Sequence, residues 1–277
     1  MITKKIIFIK EGEKIMKTTK KLMTLIMVIA MLAMIFSGCG SSSEPAAEEP
    51  AADVPTYHCI TEASFPPFDT TDEDGNIVGF DMDLMNAIAE DQGFKVDYTD
   101  MVFDSLIPSV ESHQYDIITA GMNAEDPERQ KHVSFSDTYY DSALMVVVKE
   151  DSTVTSVDDL TTDMIVASQV GTTGADMCNS LADEKKIKSA TIIDAFSDCM
   201  LQLKNGDVQA VIIDKPVAQA YINKIEGFKM VGEPMNAEAY GFAVAKDNTE
   251  LLEKINAGLK NMMENGTYDK LLEKWFN

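Results

Sequence analysis

Arg129 is the only arginine in a chain of 277 residues whose other basic side chains are 22 lysines and three histidines. A guanidinium offers a planar fork that grips a carboxylate at two points, which the lysine point charge cannot reproduce. A structural salt bridge near the end of a turn is the plainer use of such a residue. Asp214 closes the apolar run Val208–Ile213 and precedes Lys215-Pro216. An acid at that strand end either holds an ammonium group or caps the helix that follows. Gly171-Thr172-Thr173-Gly174 stands between a strand and a helix. Free backbone N–H groups there favour an anion, and a threonine there also serves as a cap. Phe65, after a strand, and Phe103, at the start of a helix, read on their own as core aromatics.

Common enzyme signatures are missing: the sequence holds no GxxxxGK[ST], no GxGxxG after a strand, no GxSxG, no HExxH and no CxxC. His58, His113 and His132 lack metal-ligand spacing. Asp72-x-Asp74-x-Asn76 has its glycine before the third ligand position of a calcium loop instead of after it, so a hairpin turn is the better reading. No metal and no cofactor is expected.

These residues need elements to hold them. Tyr57–Thr61 reads as a strand, and Asp74-Gly75-Asn76 as a hairpin turn. Phe80, Leu84, Met85 and Ile88 recur at helical spacing, and Gly93 ends that helix. Strands follow near Lys95–Tyr98 and Asp116–Thr119, with a helix across Asp104–Glu111 between them. Ala143–Val148, Met164–Ala167, Thr191–Ile193 and Val208–Ile213 read as buried strands, with helices around Gly174–Asp183 and Phe196–Lys204. Leu251, Leu252, Ile255, Leu259, Met262 and Met263 share one face of a C-terminal helix. The alternation predicts an α/β protein around parallel sheets, where ligands sit beyond the carboxyl ends of the strands. Cys59 falls in a strand. Cys178 and Cys199 fall on separate helices and fit either a disulfide in an exported protein or buried thiols.

Composition bounds the class. With 45% apolar and 25% charged residues the chain is globular, and its net charge is −23. Removing residues 1–38, which hold seven lysines and two glutamates, makes the remainder more acidic still. Such a surface repels phosphate backbones, so nucleic acid is not an expected partner. Lys17, Lys20 and Lys21 precede an uncharged apolar run, Leu22–Phe36, that is short of the roughly 20 residues a membrane span requires. This is the layout of a secretory signal, with Met16 as the expected true start. Phe36-Ser37-Gly38-Cys39 resembles the lipobox of bacterial lipoproteins, with Phe36 where an aliphatic residue is usual. The resemblance implies cleavage after residue 38 and lipidation of Cys39, the only expected membrane contact. Residues 39–53 then form a lipidated, Pro- and Ala-containing tether.

One ordered set of motifs unites the rest. It runs Ser64-Phe65-Pro66-Pro67-Phe68, Gly79-Phe80-Asp81-Met82-Asp83-Leu84, Phe103-Asp104-Ser105-Leu106-Ile107-Pro108 and Asp116-Ile117-Ile118-Thr119-Ala120-Gly121-Met122. Pro127-Glu128-Arg129, Phe135-Ser136-Asp137, Gln169-Val170-Gly171-Thr172 and Asn205–Asp214 follow. Together these resemble the solute-binding proteins of polar amino acid ABC importers over residues 54–277. The resemblance implies a type II periplasmic-binding-protein fold: two α/β lobes joined by a two-segment hinge, with the ligand cleft between them. Lobe 1 would comprise 54–141 plus 238–277, and lobe 2 142–237. By the same analogy Arg129 clamps a ligand's α-carboxylate with donors at Thr172 and Thr173. Asp214 and the Gly121 carbonyl hold its α-ammonium, while Phe65 and Phe103 sandwich its side chain. Glu62, Met122, Asn123 and Gln169 complete the set, and Glu62, Asn123 and Gln169 match positions that vary with ligand.

Two departures stand out. Gly121 to Arg129 spans eight residues where the family has seven, so Asn123, Ala124 or Glu125 can take the usual Ser/Thr place. Gln209 replaces a common Asp and is expected to affect structure more than binding. Glu62 favours a side chain that offers donors, hence a basic or amide free L-amino acid. A neighbouring lysine that neutralised it would make the pocket less discriminating. The permease and its ATPase are expected as separate chains, because this sequence has neither a nucleotide-binding motif nor a multi-span region. A monomeric, non-enzymatic carrier is the resulting expectation. The alternatives are a cyclohexadienyl dehydratase-like enzyme, with Glu62 as its acid, and a sensory component.

Overall fold

The computed structural model describes residues 54–276; the leader, Cys39 and tether expectations lie outside them. The chain opens with β1 (Thr56–Thr61), the two-residue strands β2 (Thr70–Thr71) and β3 (Ile77–Val78), helix α1 (Phe80–Gln92) and β4 (Lys95–Asp100). A 3-10 turn at Phe103–Ser105 leads into α2 (Leu106–Glu111), and β5 (Ile117–Ile118), α3 (Arg129–His132) and β6 (Val133–Phe135) follow. Next come β7 (Tyr140–Lys149), β8 (Ile165–Gln169), α4 (Thr173–Asp183), β9 (Ser189–Ile193), α5 (Phe196–Asn205), β10 (Ala210–Asp214), α6 (Lys215–Lys224) and β11 (Phe228–Tyr240). The chain closes with β12 (Ala243–Ala245), α7 (Thr249–Glu264) and α8 (Thr267–Phe276).

Two five-stranded sheets result, ordered β4-β1-β5-β12-β6 and β11-β7-β10-β8-β9. The expectation of parallel sheets needs correction, because both are mixed. β1 runs parallel to β4 and β5, but β12 is antiparallel to β5 and β6. β8 is parallel to β9 and β10, whereas β7 is antiparallel to β10 and β11. Connectivity is the cause. The chain leaves the first sheet along β7, returns beside it along β11, and enters β12 against the direction of β5. At the crossing Tyr140, Asp141, Ser142 and Ala143 pair with Tyr240, Ala239, Glu238 and Ala237. The fold is two α/β lobes joined by two antiparallel strands.

Local signals explain the helices that flank the first sheet. Phe80, Leu84, Met85 and Ile88 are fully buried on α1, and Asp81 and Asp83 sit in its first turn, favoured by the helix dipole. Gly93 closes α1 at φ 73°, donating its N–H to the Ala89 carbonyl. On α7, Leu251, Ile255, Leu259 and Met262 are buried, but Met263 is exposed and Leu252 half-buried, which narrows the expected face. That helix presses on α1 through Gly258, where a Cβ would stand 2.7 Å from Ile88 Cγ2. The expected single C-terminal helix is two, because Gly266 takes φ +77° between them.

The Asp72–Asn76 segment is the expected turn between β2 and β3. The Asp72 carboxylate accepts from the N–H groups of Asp74 and Asn76 (3.0 and 2.8 Å), which occupies it locally. Gln209 braces lobe 2: its Oε1 accepts from the Ile165 N–H at 2.9 Å and its Nε2 donates to the Gly206 carbonyl. Cys59, Cys178 and Cys199 are buried free thiols. Cys178 and Cys199 belong to separate apolar clusters, and burial pushes both up to about 12, so neither is reactive. No helix among the described residues is long and apolar enough to cross a membrane.

Candidate functional site

The first lobe contributes residues from strand ends and one short helix. Beyond β5, Gly121 adopts φ +48°, and a Cβ there would lie 2.6 Å from Phe65 Cε1, so only glycine lets the backbone come this close to the ring. Asp81 fixes this turn: its Oδ2 accepts from the Gly121 N–H at 2.8 Å and from the Tyr139 hydroxyl at 2.6 Å. Burial pushes Asp81 up to about 7 against those two hydrogen bonds. Gly121 and Asn123 line the cavity on alternate residues. Met122 between them does not: its side chain lies in the apolar cluster of Ile60, Leu106 and Ile118, and its carbonyl accepts from the Gly241 N–H. The period-two alternation of extended chain is the reason. Asn123 Oδ1 accepts from the Glu125 N–H; Glu125 itself is exposed, and neither it nor Ala124 lines the cavity.

Arg129 begins α3 and is only 8% exposed. Its Nη2 donates to the Gly171 carbonyl of the second lobe at 3.0 Å, and its Nε stands 3.6 Å from Asp126 Oδ2. The guanidinium lies over Phe103, 5.4 Å from the ring centroid. Burial lowers its pKa, while Asp126, Glu238, Asp214 and Asp176 act to keep the proton on. A guanidinium stays charged under such conditions, so this is a fixed buried cation.

The second lobe faces it. Thr172 caps α4, its Oγ1 accepting from the Ala175 N–H at 3.1 Å and donating to the Gln169 carbonyl at 2.7 Å. Its hydroxyl is thereby occupied, and what α4 offers an anion is its free first-turn N–H groups. The Thr173 hydroxyl donates to Glu238 Oε1. Gln169 Nε2 donates to the Asp194 carbonyl at 2.9 Å. Asp214 occupies the cap position of α6 without capping it. Its Oδ1 accepts instead from the hydroxyls of Tyr240 and, at 3.5 Å, Ser142. Burial, with the Glu238 charge beside it, pushes Asp214 well above the usual carboxylate range.

These side chains converge. Every predicted site residue except Glu62 and Met122 lines one cavity of about 20 Å³. That is room for about one water molecule. The lobes are therefore closed, latched also by Tyr221 Oη donating to the Ser64 carbonyl (2.7 Å) and the Phe196 N–H to Ser64 Oγ (3.1 Å). Any solute larger than water enters only if they part.

Glu62 sits one layer back. It accepts from Ser64 Oγ at 2.9 Å, and its neighbours include the cavity-lining Gln169 and the charged Asp100. Burial raises its pKa. Among the described residues no ion pair reaches it, so no lysine neutralises it. The residue that sequence reasoning missed is Glu238, 5% exposed and on the cavity wall. Its spacing of two from the buried Tyr240 on β11 was the available signal, since both then face the same side.

A fixed cation and a buried acid meet across a closing cleft, which defines a two-lobed binding protein for a small solute that carries both charges. The bacterial extracellular solute-binding proteins, family 3, match residues 57–277, and this chain belongs to that family. It is 34% identical over 221 residues to an arginine-binding periplasmic protein of Mannheimia haemolytica, covering 78% of this chain and 89% of that one. Two solved structures of an ancestral arginine-binding protein are 43% identical to it. The arginine complex superposes with a TM-score of 0.76, covering 80% of this chain and 98% of that one. The glutamine complex gives 0.75, with 80% and 97% covered.

Proposed function

We infer that this protein captures a free L-amino acid with a basic or amide side chain by lobe closure outside the cytoplasm. It then delivers that ligand to the permease of an ABC importer. The observation that carries this is Arg129 from one lobe and Asp214 from the other, both buried, on a single cavity. A zwitterion leaving water needs both its charges paired, and this arrangement pairs them only when the lobes close. Closure is then driven by the ligand's differential affinity for the closed state. Lobe 1 is assigned to 54–141 plus 238–277 and lobe 2 to 142–237. Glu62, set among Asp100 and Asp69 without a cation, favours a positively charged side chain beyond Gln169. The arginine-binding relatives support the same preference.

A thermal-shift panel of the twenty amino acids, ornithine and cystine on residues 40–277 tests this reading. A ligand at about 100 times its dissociation constant adds roughly 2.7 kcal/mol, or about 5–10 °C for a chain of this size. L-arginine should give the largest shift and L-glutamate none. A flat panel, repeated after refolding to strip carried ligand, would remove the amino-acid reading.

The carrier is held to the outer face of the membrane through a lipidated Cys39, and it works as a monomer. Metabolic labelling with palmitate should mark the wild-type chain, and Cys39→Ser should abolish the label; a labelled Cys39→Ser chain sinks the lipoprotein assignment.

A further inference from the structure

Glu238 reaches the cavity from β11, opposite Asp214 at the end of β10. The two carboxylates line the same small cavity, and each is 5% exposed. Hydroxyls donate to both: Tyr240 and Ser142 to Asp214, Thr173 to Glu238. Tyr240 is itself buried with its phenol pushed far up, so it remains a donor. The remaining charges near the pair are Arg129 with Asp126 beside it, and Asp176 on α4; Lys215 follows Asp214 in the chain but is exposed. Arg129 is engaged by the Gly171 carbonyl and Asp126, with no hydrogen bond to either acid. Asp214, buried with a second acid on the same cavity wall and no cation hydrogen-bonded to it, favours its protonated form.

We propose that Glu238 is the second carboxylate of the ammonium seat, and that Asp214 carries a proton shared with Glu238 until the ligand's ammonium replaces it, so that each capture releases one proton. This rests on the amino-acid reading above. The step balances simply. The Asp214 O–H bond breaks with its electron pair left on oxygen, the proton passes to buffer, and the ammonium donates to both carboxylates without covalent change. Proton and ligand thus compete, and affinity weakens tenfold per unit of pH below the point at which Asp214 gives up its proton.

The test is calorimetric titration of L-arginine and of L-glutamine into the purified protein at mildly acidic pH, in phosphate and in imidazole, whose ionisation heats differ. The expected result is one proton released with either ligand, and less release with E238Q, whose affinity falls about tenfold. L-glutamine matters because a proton on Glu62 would be expelled only by a cationic side chain. Binding heat without buffer dependence overturns the proposal, as does undiminished release from E238Q. A second arm needs no ligand: the infrared carbonyl band of protonated carboxyls, to which buried Asp81 also contributes, should be weaker in free E238Q and in free D214N than in the free wild type. If neither ligand binds, the carrier reading fails while the band still decides whether the proton is shared. If E238Q does not fold, the wild-type buffer dependence and the weakening of the band on adding ligand decide it.

Discussion

Arg129→Lys should weaken binding of L-arginine by about 30- to 150-fold, or roughly 2–3 kcal/mol, while the ligand-free chain stays folded. The guanidinium makes three contacts at once: the Gly171 carbonyl at 3.0 Å, Asp126 at 3.6 Å and the face of Phe103 at 5.4 Å. Arg129 lines the cavity, and the fork has further N–H groups to offer a carboxylate there. A lysine ammonium keeps the charge but loses the fork, so the ligand exchanges a two-point grip for one. It also cannot donate to Gly171 and to the ligand in the same plane, which loosens the contact between the lobes. Isothermal titration on both chains, with unfolding curves as control, measures the difference. Unchanged affinity would mean that Arg129 is a salt bridge to Asp126 and nothing more.

Much of this site was legible because its residues are uncommon. A lone arginine, an acid ending an apolar strand and a glycine-flanked threonine pair each announce a local role. The structure then separates the roles that the sequence left open. Thr172 is a helix cap in its side chain, whereas Asp214 sits at a cap position and does not cap. Which face a residue takes was harder to read. Met122 is adjacent to two cavity residues and points the other way, and Glu62 lies behind the cavity wall rather than on it.

Glu238 escaped for a different reason. An isolated acid in an acidic chain is normally a solvated charge, and the pairing of β11 with β7 is what brings it to the cavity that Asp214 lines. The direction of β12 and of the hinge strands was equally hidden, because strand sense depends on where the chain returns rather than on local composition. Elements were read well where an apolar period and a glycine stop coincided, as on α1. They were read less well on the C-terminal helices, where Gly266 breaks a continuous apolar pattern.

Asp214→Asn should separate binding from stability by moving them in opposite directions. Affinity for L-arginine is expected to fall about a hundredfold, the worth of a charge-assisted contact to the ammonium. Stability of the ligand-free protein should rise at neutral pH. The sign follows from the raised pKa of Asp214, whose first cause is burial. A carboxyl held protonated in the folded chain contributes nothing unfavourable below its unfolded pKa. As pH climbs from there toward the folded value, the unfolded chain gains by ionising and the folded chain does not, so stability is lost over that window. An amide has the shape of the protonated acid and no proton to lose. The melting-temperature gain should therefore be present at neutral pH and vanish in acid, below the ordinary carboxylate range. A helix-capping Asp214 would behave otherwise, since asparagine caps as well as aspartate and neither affinity nor the pH profile would move. Melting curves at both pH values, with a titration at neutral pH, distinguish the two roles. The wild type keeps an acid that weakens its empty, closed form, and that is the form a carrier must leave in order to load.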